Sequence, residues 1–156
     1  MKTLKDLREE MHQLSLQIDK VLNYSDYKYA DDLSEIKYNK KDPDDLLLID
    51  EYRSILEKLS DVQCQLKYLS LPVDFTDKLT IRPDGKYESQ DNEVCFSSGS
   101  IIEFLTTEEV MGEDGHFKEM PCWRISRIEY DKDGYYIVGY KDVNLNGLTV
   151  RFRKQR

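Results

Sequence analysis

CWRISRIEYDKDGYYIVGYKDVNLNGLTVRF, Cys122 to Phe152, is the stretch whose reading decides the fold. It reads as three consecutive β-strands joined by tight turns, near Trp123–Tyr130, Tyr135–Tyr140 and Leu148–Phe152. The only Trp and four of the eleven Tyr lie in it. Side chains alternate across a strand, so Leu148, Val150 and Phe152 point one way, while Thr149, Arg151 and Arg153 point the other. Asp131-Lys132-Asp133-Gly134 is a hairpin turn and not a calcium loop. With Glu129 at position 1, the twelfth position is Tyr140, where that loop needs a bidentate Glu.

Upstream, the same period of two reaches back to Leu79 and Ile81. Pro83-Asp84-Gly85 turns that strand and Lys86-Tyr87-Glu88 returns it. Short strands are expected at Val94–Phe96 and Ile101–Leu105, and an acidic loop over 106–121. Frequent turns between five or six short strands in about 75 residues imply a small antiparallel β-barrel, of which SH3-like barrels are one form.

The other half is different. All seven glycines lie at or beyond Gly85, and glycine is scarce in helices and common in turns. The joint falls at Leu71-Pro72-Val73, because a proline disfavours helix at the residue before it. The expected domains are therefore 1–72, helical, and 73–156, the barrel, an α+β arrangement. Thr3 and Asp6 form a capping box for a first helix with an apolar seam at Leu4, Leu7, Met11, Leu14, Ile18 and Val21. Asp42 and Pro43 start a second, with a seam at Leu48, Tyr52, Ile55, Leu59, Val62, Leu66 and Leu69. Two such seams predict an antiparallel, coiled-coil-like hairpin whose stripes pack on one another; the alternative is a homodimer through the same seams. In the connection, a short helix is expected over 30–38.

That connection also holds the candidate protein-binding residues: Tyr24, Tyr27, Tyr29 and Tyr38 among Asp31, Asp32 and Glu35. Exposed tyrosines beside charges are typical interface anchors, and they also serve to cover the end of a hairpin. The net charge of −8 argues against general, salt-driven nucleic-acid binding. Its distribution is uneven: residues 77–120 carry eleven acids and four bases, residues 121–156 eight bases and four acids. Arg124, Arg127, Arg151 and Arg153 are the candidate nucleic-acid face, with Trp123, Tyr135 and Tyr140 for stacking.

Catalytic and metal signatures are weak. Cys64, Cys95 and Cys122 are odd in number and far apart, which suggests free thiols in a cytoplasm. The first residues carry acids and no long apolar run, so no secretory signal is read there, and no stretch is apolar enough to span a membrane. His116 and Cys122 are the one conceivable nucleophilic pair, and no zinc spacing occurs. No cofactor or metal is expected, and the chain reads as a non-enzyme.

YYIVGY followed by LNGLTVRFR resembles a domain-of-unknown-function family of small proteins from prophages and integrative elements of Gram-positive bacteria. The likeness spans residues 73–153 and excludes the helices. It implies a mobile-element origin and a binding role, by context that of an inhibitor of host defence, anti-CRISPR proteins included. Two functions are thus expected in order. The first is a protein-binding module, an inhibitor of a defence nuclease acting through the acidic surface of residues 26–51 and 103–119. The second is a nucleic-acid-binding barrel.

Overall fold

The computed structural model describes residues 1–27, 33–91 and 94–153. The chain forms two compact units, Met1–Leu71 and Pro72–Arg156. Leu71 is already extended, with φ −68° and ψ 138°, as the following proline requires.

The first unit holds α1 (Leu4–Tyr24) and α2 (Pro43–Ser70). The Thr3 hydroxyl accepts from the Asp6 amide and the Asp6 carboxylate accepts from the Thr3 amide, closing the expected capping box. Asp42 caps α2 by accepting from the Asp44 amide at 3.0 Å, with Pro43 in the first turn. Leu22 packs against a small core of Leu33, Ile49 and Leu56. Two turns earlier Ser15 donates to Gln63, two turns beyond Leu56, so the helices run antiparallel.

The seams pack only in part, with Leu59 and Leu66 of α2 half-buried. Of the α1 stripe only Ile18 is buried; Leu4, Leu7, Met11, Leu14 and Val21 are 40–68% exposed. On α2 the buried positions are Ile49, Leu56 and Gln63, each one residue after the exposed Leu48, Ile55 and Val62. Part of the helix contact is polar instead: Ser15 with Gln63, and Lys67 donating to Asp19 at 2.9 Å. The expected short helix over 30–38 is also corrected. Its described part, from Leu33 on, is a single turn closed by the Ile36 amide on the Leu33 carbonyl.

The second unit is one antiparallel sheet. Its strands are β1 (Val73–Ile81), β2 (Tyr87–Ser89), β3 (Cys95–Phe96), β4 (Ile101–Met111), β5 (Phe117–Asp131), β6 (Gly134–Ile137) and β7 (Thr149–Arg153). Their order among the described residues is β3-β2-β1-β7-β4-β5-β6. The last three strands are therefore consecutive in sequence but not in space. β7 leaves β6 and inserts between β1 and β4, antiparallel to both.

The sheet curls into a half-barrel. Tyr87 on β2 meets the ring of Tyr135 on β6 edge to face, with centroids 6.4 Å apart, although five strand positions separate them. The concave face carries the core: Leu79, Phe96, Ile102, Phe104, Ile128, Ile137, Leu145 and Val150. Phe152 stacks on Phe75 at 4.6 Å, and Arg151 and Arg153 stand on the convex side. This is the alternation read from the last strand.

The acidic loop expected over 106–121 is a β-hairpin. β4 runs to Met111 and β5 starts at Phe117, in unbroken register from Ile101–Arg127 to Met111–Phe117. Only Gly112–His116 turns, with Gly115 at φ +77°. Counting charges hid Thr106, Thr107 and Val110, β-branched types that favour strand over loop.

Candidate functional site

The tyrosine-rich connection divides. Tyr24 is 86% exposed at the end of α1. Tyr27 and Tyr38 pack against Leu33, Ile49 and Leu56, so they cover the end of the hairpin. Glu35 is exposed. Tyr29, Asp31 and Asp32 lie outside the described residues. Beside Tyr38 is an open cleft of about 380 Å³ lined by Leu33 and Ile36 together with Lys37, Lys40 and Arg53. Its walls bring cations into a segment that composition makes acidic.

The arginines do not share one face. Arg124 pairs across β4–β5 with Phe104, which puts it on the concave side, where its guanidinium meets the Glu108 carboxylate. The hydrogen bond from Arg124 is the main reason the Glu108 pKa is lowered. Arg127, Arg151 and Arg153 stand on the convex side. Arg127 lies 3.2 Å from Glu129, and Arg151 and Arg153 both hold Glu103.

Glu103 is the most enclosed acid among the described residues. Its side chain is 1% exposed. Arg153 donates to it from Nε at 2.9 Å and from Nη2 at 3.0 Å, and Arg151 donates from Nη2. Burial by itself raises a carboxyl pKa, but the bonds from Arg153 and then Arg151 outweigh it and hold the Glu103 pKa below its ordinary value. The Arg151 guanidinium also lies 4.4 Å over the Trp123 ring. Trp123 is thus engaged by a cation of its own chain.

Beyond Leu105 and Trp123 the β4–β5 hairpin continues as a ribbon whose strands pair only with each other among the described residues. At its tip Met111 and Phe117 face each other across the strands, 61% and 63% exposed. Glu109 opposite Glu119, then Glu113 and Asp114 in the turn, make the ribbon acidic. Lys118 donates to Asp114 at 2.6 Å and is the chief cause of the lowered Asp114 pKa. The sequence did carry a signal for this arm: apolar Met111 and Phe117 flank a glycine-containing turn, a hairpin pattern.

The remaining candidates are kept apart or satisfied internally. His116 sits in the turn and Cys122 six residues along an extended strand, roughly 20 Å away at about 3.3 Å per residue. Asp131 accepts from the Asp133 amide at 2.9 Å and from Lys141 at 3.2 Å, as a hairpin-turn carboxylate does. Cys64, Cys95 and Cys122 are free thiols. Among the described residues no helix is long and apolar enough to cross a membrane.

No curated protein and no solved structure matches the chain. Residues 77–152 match the family described as Domain of unknown function (DUF5348). That match covers the half-barrel from β1 to β7 and leaves the helical unit outside, so it is the C-terminal part of this chain that is similar to a family of unknown function.

Proposed function

We propose that the chain is a non-catalytic protein-binding module whose half-barrel presents the β4–β5 arm to a partner. The observation that carries this is the exposed Met111–Phe117 pair at the end of a two-stranded ribbon. A large apolar pair held at the end of a two-stranded ribbon, with acids around it, has the character of an interface anchor inside a polar rim. Residues 105–121 hold five acids against Lys118, a net of −4, so the fitting partner surface is basic with an apolar floor.

A nucleic-acid-handling protein offers such a surface, and the finer proposal is an inhibitor of a defence nuclease carried by a mobile element. The acidic arm would then occupy the nuclease's nucleic-acid channel. Support for this finer step is the sign of the charge and the family resemblance, both general features. Direct nucleic-acid binding by the arginines has less support. Arg124, Arg127, Arg151 and Arg153 each have a carboxylate partner, which leaves little free positive charge for phosphates.

The test compares wild type with a Met111→Glu/Phe117→Glu double variant in affinity capture with mass spectrometry, and in titration of duplex DNA and single-stranded RNA. The expected result is a partner retained by wild type and lost from the variant, its binding weakening as salt rises. Nucleic acid should bind negligibly near 150 mM salt, about the physiological strength. Sub-micromolar, salt-sensitive binding that Arg151→Glu/Arg153→Glu abolishes would overturn the ranking.

A further inference from the structure

Among the described residues of the first unit, the apolar stripes of α1 and α2 stay largely uncovered, and their geometry specifies what would cover them. On both helices the exposed residue comes immediately before an inward one: Leu14 before Ser15, Val21 before Leu22, Ile55 before Leu56, Val62 before Gln63. One residue is about 100° of rotation on a helix with 3.6 residues per turn. Because the helices are antiparallel, equal rotation in the same sense turns both stripes to the same side of the pair. The result is one continuous apolar face, two helices wide, beside a contact that is itself partly polar.

We propose that this face pairs with its equivalent on a second copy of the chain across a two-fold axis, forming a four-helix bundle. Three observations favour another copy over an unrelated partner. The stripes keep the three-and-four spacing of a heptad seam, which meshes with a helix of the same period. The area fits: ten side chains about half exposed, at roughly 180 Å² each, give on the order of 900 Å² per copy, against about 800 Å² per partner in a stable complex.

The third is charge. Identical copies carry identical charge, so a chain of net −8 pairs with itself most readily where its acids are few. The outer rim of the two stripes is Thr3, Glu10, Gln17, Glu51, Lys58 and Gln65, two acids and one base, a net of −1. The acidic excess lies elsewhere. An isologous contact of this kind closes on itself and stops at two chains.

This pairing goes beyond the binding role given to the β4–β5 arm, and either can fail without the other. The test is sedimentation equilibrium of the full chain from roughly 1 to 100 μM, a range that reads micromolar dissociation constants. Wild type should reach twice the chain mass. Ile55→Glu and Leu14→Glu, one on each helix, should each return it to one chain mass with helical circular dichroism retained, while Phe117→Glu on the arm should leave the dimer intact. Should a Glu variant lose helical signal, the triple variant Leu14→Ala/Ile55→Ala/Val62→Ala decides, with at least tenfold weaker association expected. A single-chain mass at every wild-type concentration, a larger assembly, or a dimer indifferent to these substitutions would overturn the proposal.

Discussion

At the scale of single residues, Glu103 carries the most concentrated chemistry. It sits on the convex side of the sheet, yet two arginines from β7 close over it. Removing one partner of a buried ion pair leaves the others' charge uncompensated, so Glu103→Gln should cost about 3 kcal/mol in a urea melt. An unchanged midpoint would mean the clamp contributes nothing. The pH dependence has a definite sign. The Glu103 pKa is lowered by folding, so its contribution is complete above the ordinary value of 4.5 and is lost as pH falls from there through the folded value. Wild type should therefore lose stability on acidification through that window, and Glu103→Gln should lose less of it. Alternation in the last strand told which side Arg151 and Arg153 would take. It could not tell that their partner lies 48 and 50 residues earlier, because β7 reaches β4 only through the fold. For the same reason Arg124 looked like part of one basic face until the register placed it opposite Phe104, on the side where Glu108 meets it.

At the scale of elements, the helices were legible in their caps and their lengths, and misleading in their contact. The apolar period marks where a helix seeks cover, and it does not say whose surface supplies it. Here the inward stripe of α2 sits one residue away, at Ile49, Leu56 and Gln63. The sheet was legible wherever apolar and polar residues alternate and obscured where acids cluster, as at Glu108-Glu109 and Glu113-Asp114, which is why the β4–β5 arm read as a loop. Its turn makes a separate prediction. Gly115 holds φ +77°, a conformation that side chains with a Cβ resist, and no atom within 4 Å would clash with one added there. Gly115→Ala should thus cost about 1 kcal/mol from backbone strain alone. Urea denaturation measures it, and a neutral result would mean the turn adopts another form.

At the scale of the whole molecule, the two units differ in how completely each satisfies itself. Every residue of the main core, from Leu79 to Val150, lies within Pro72–Arg156. So do all strands that pair in the sheet, and the family match falls inside the same limits. A unit that closes its own hydrogen bonds and apolar core needs no help from the rest of the chain. Residues 72–156 produced alone should fold, with a cooperative thermal transition followed by Trp123 fluorescence and a midpoint independent of concentration. Residues 1–71 should behave otherwise. Their small core is Leu33, Ile49 and Leu56, their helix contact includes Ser15–Gln63 and Asp19–Lys67, and their largest apolar stripes face outward. If the stripes pair as proposed, such a fragment should gain stability by association and its melting temperature should rise with concentration, as mass action demands when binding and folding are linked. Equal melting behaviour of 1–71 across a hundredfold dilution would show that the hairpin is stable alone, and the half-barrel failing to fold without it would show that the two units are one cooperative body.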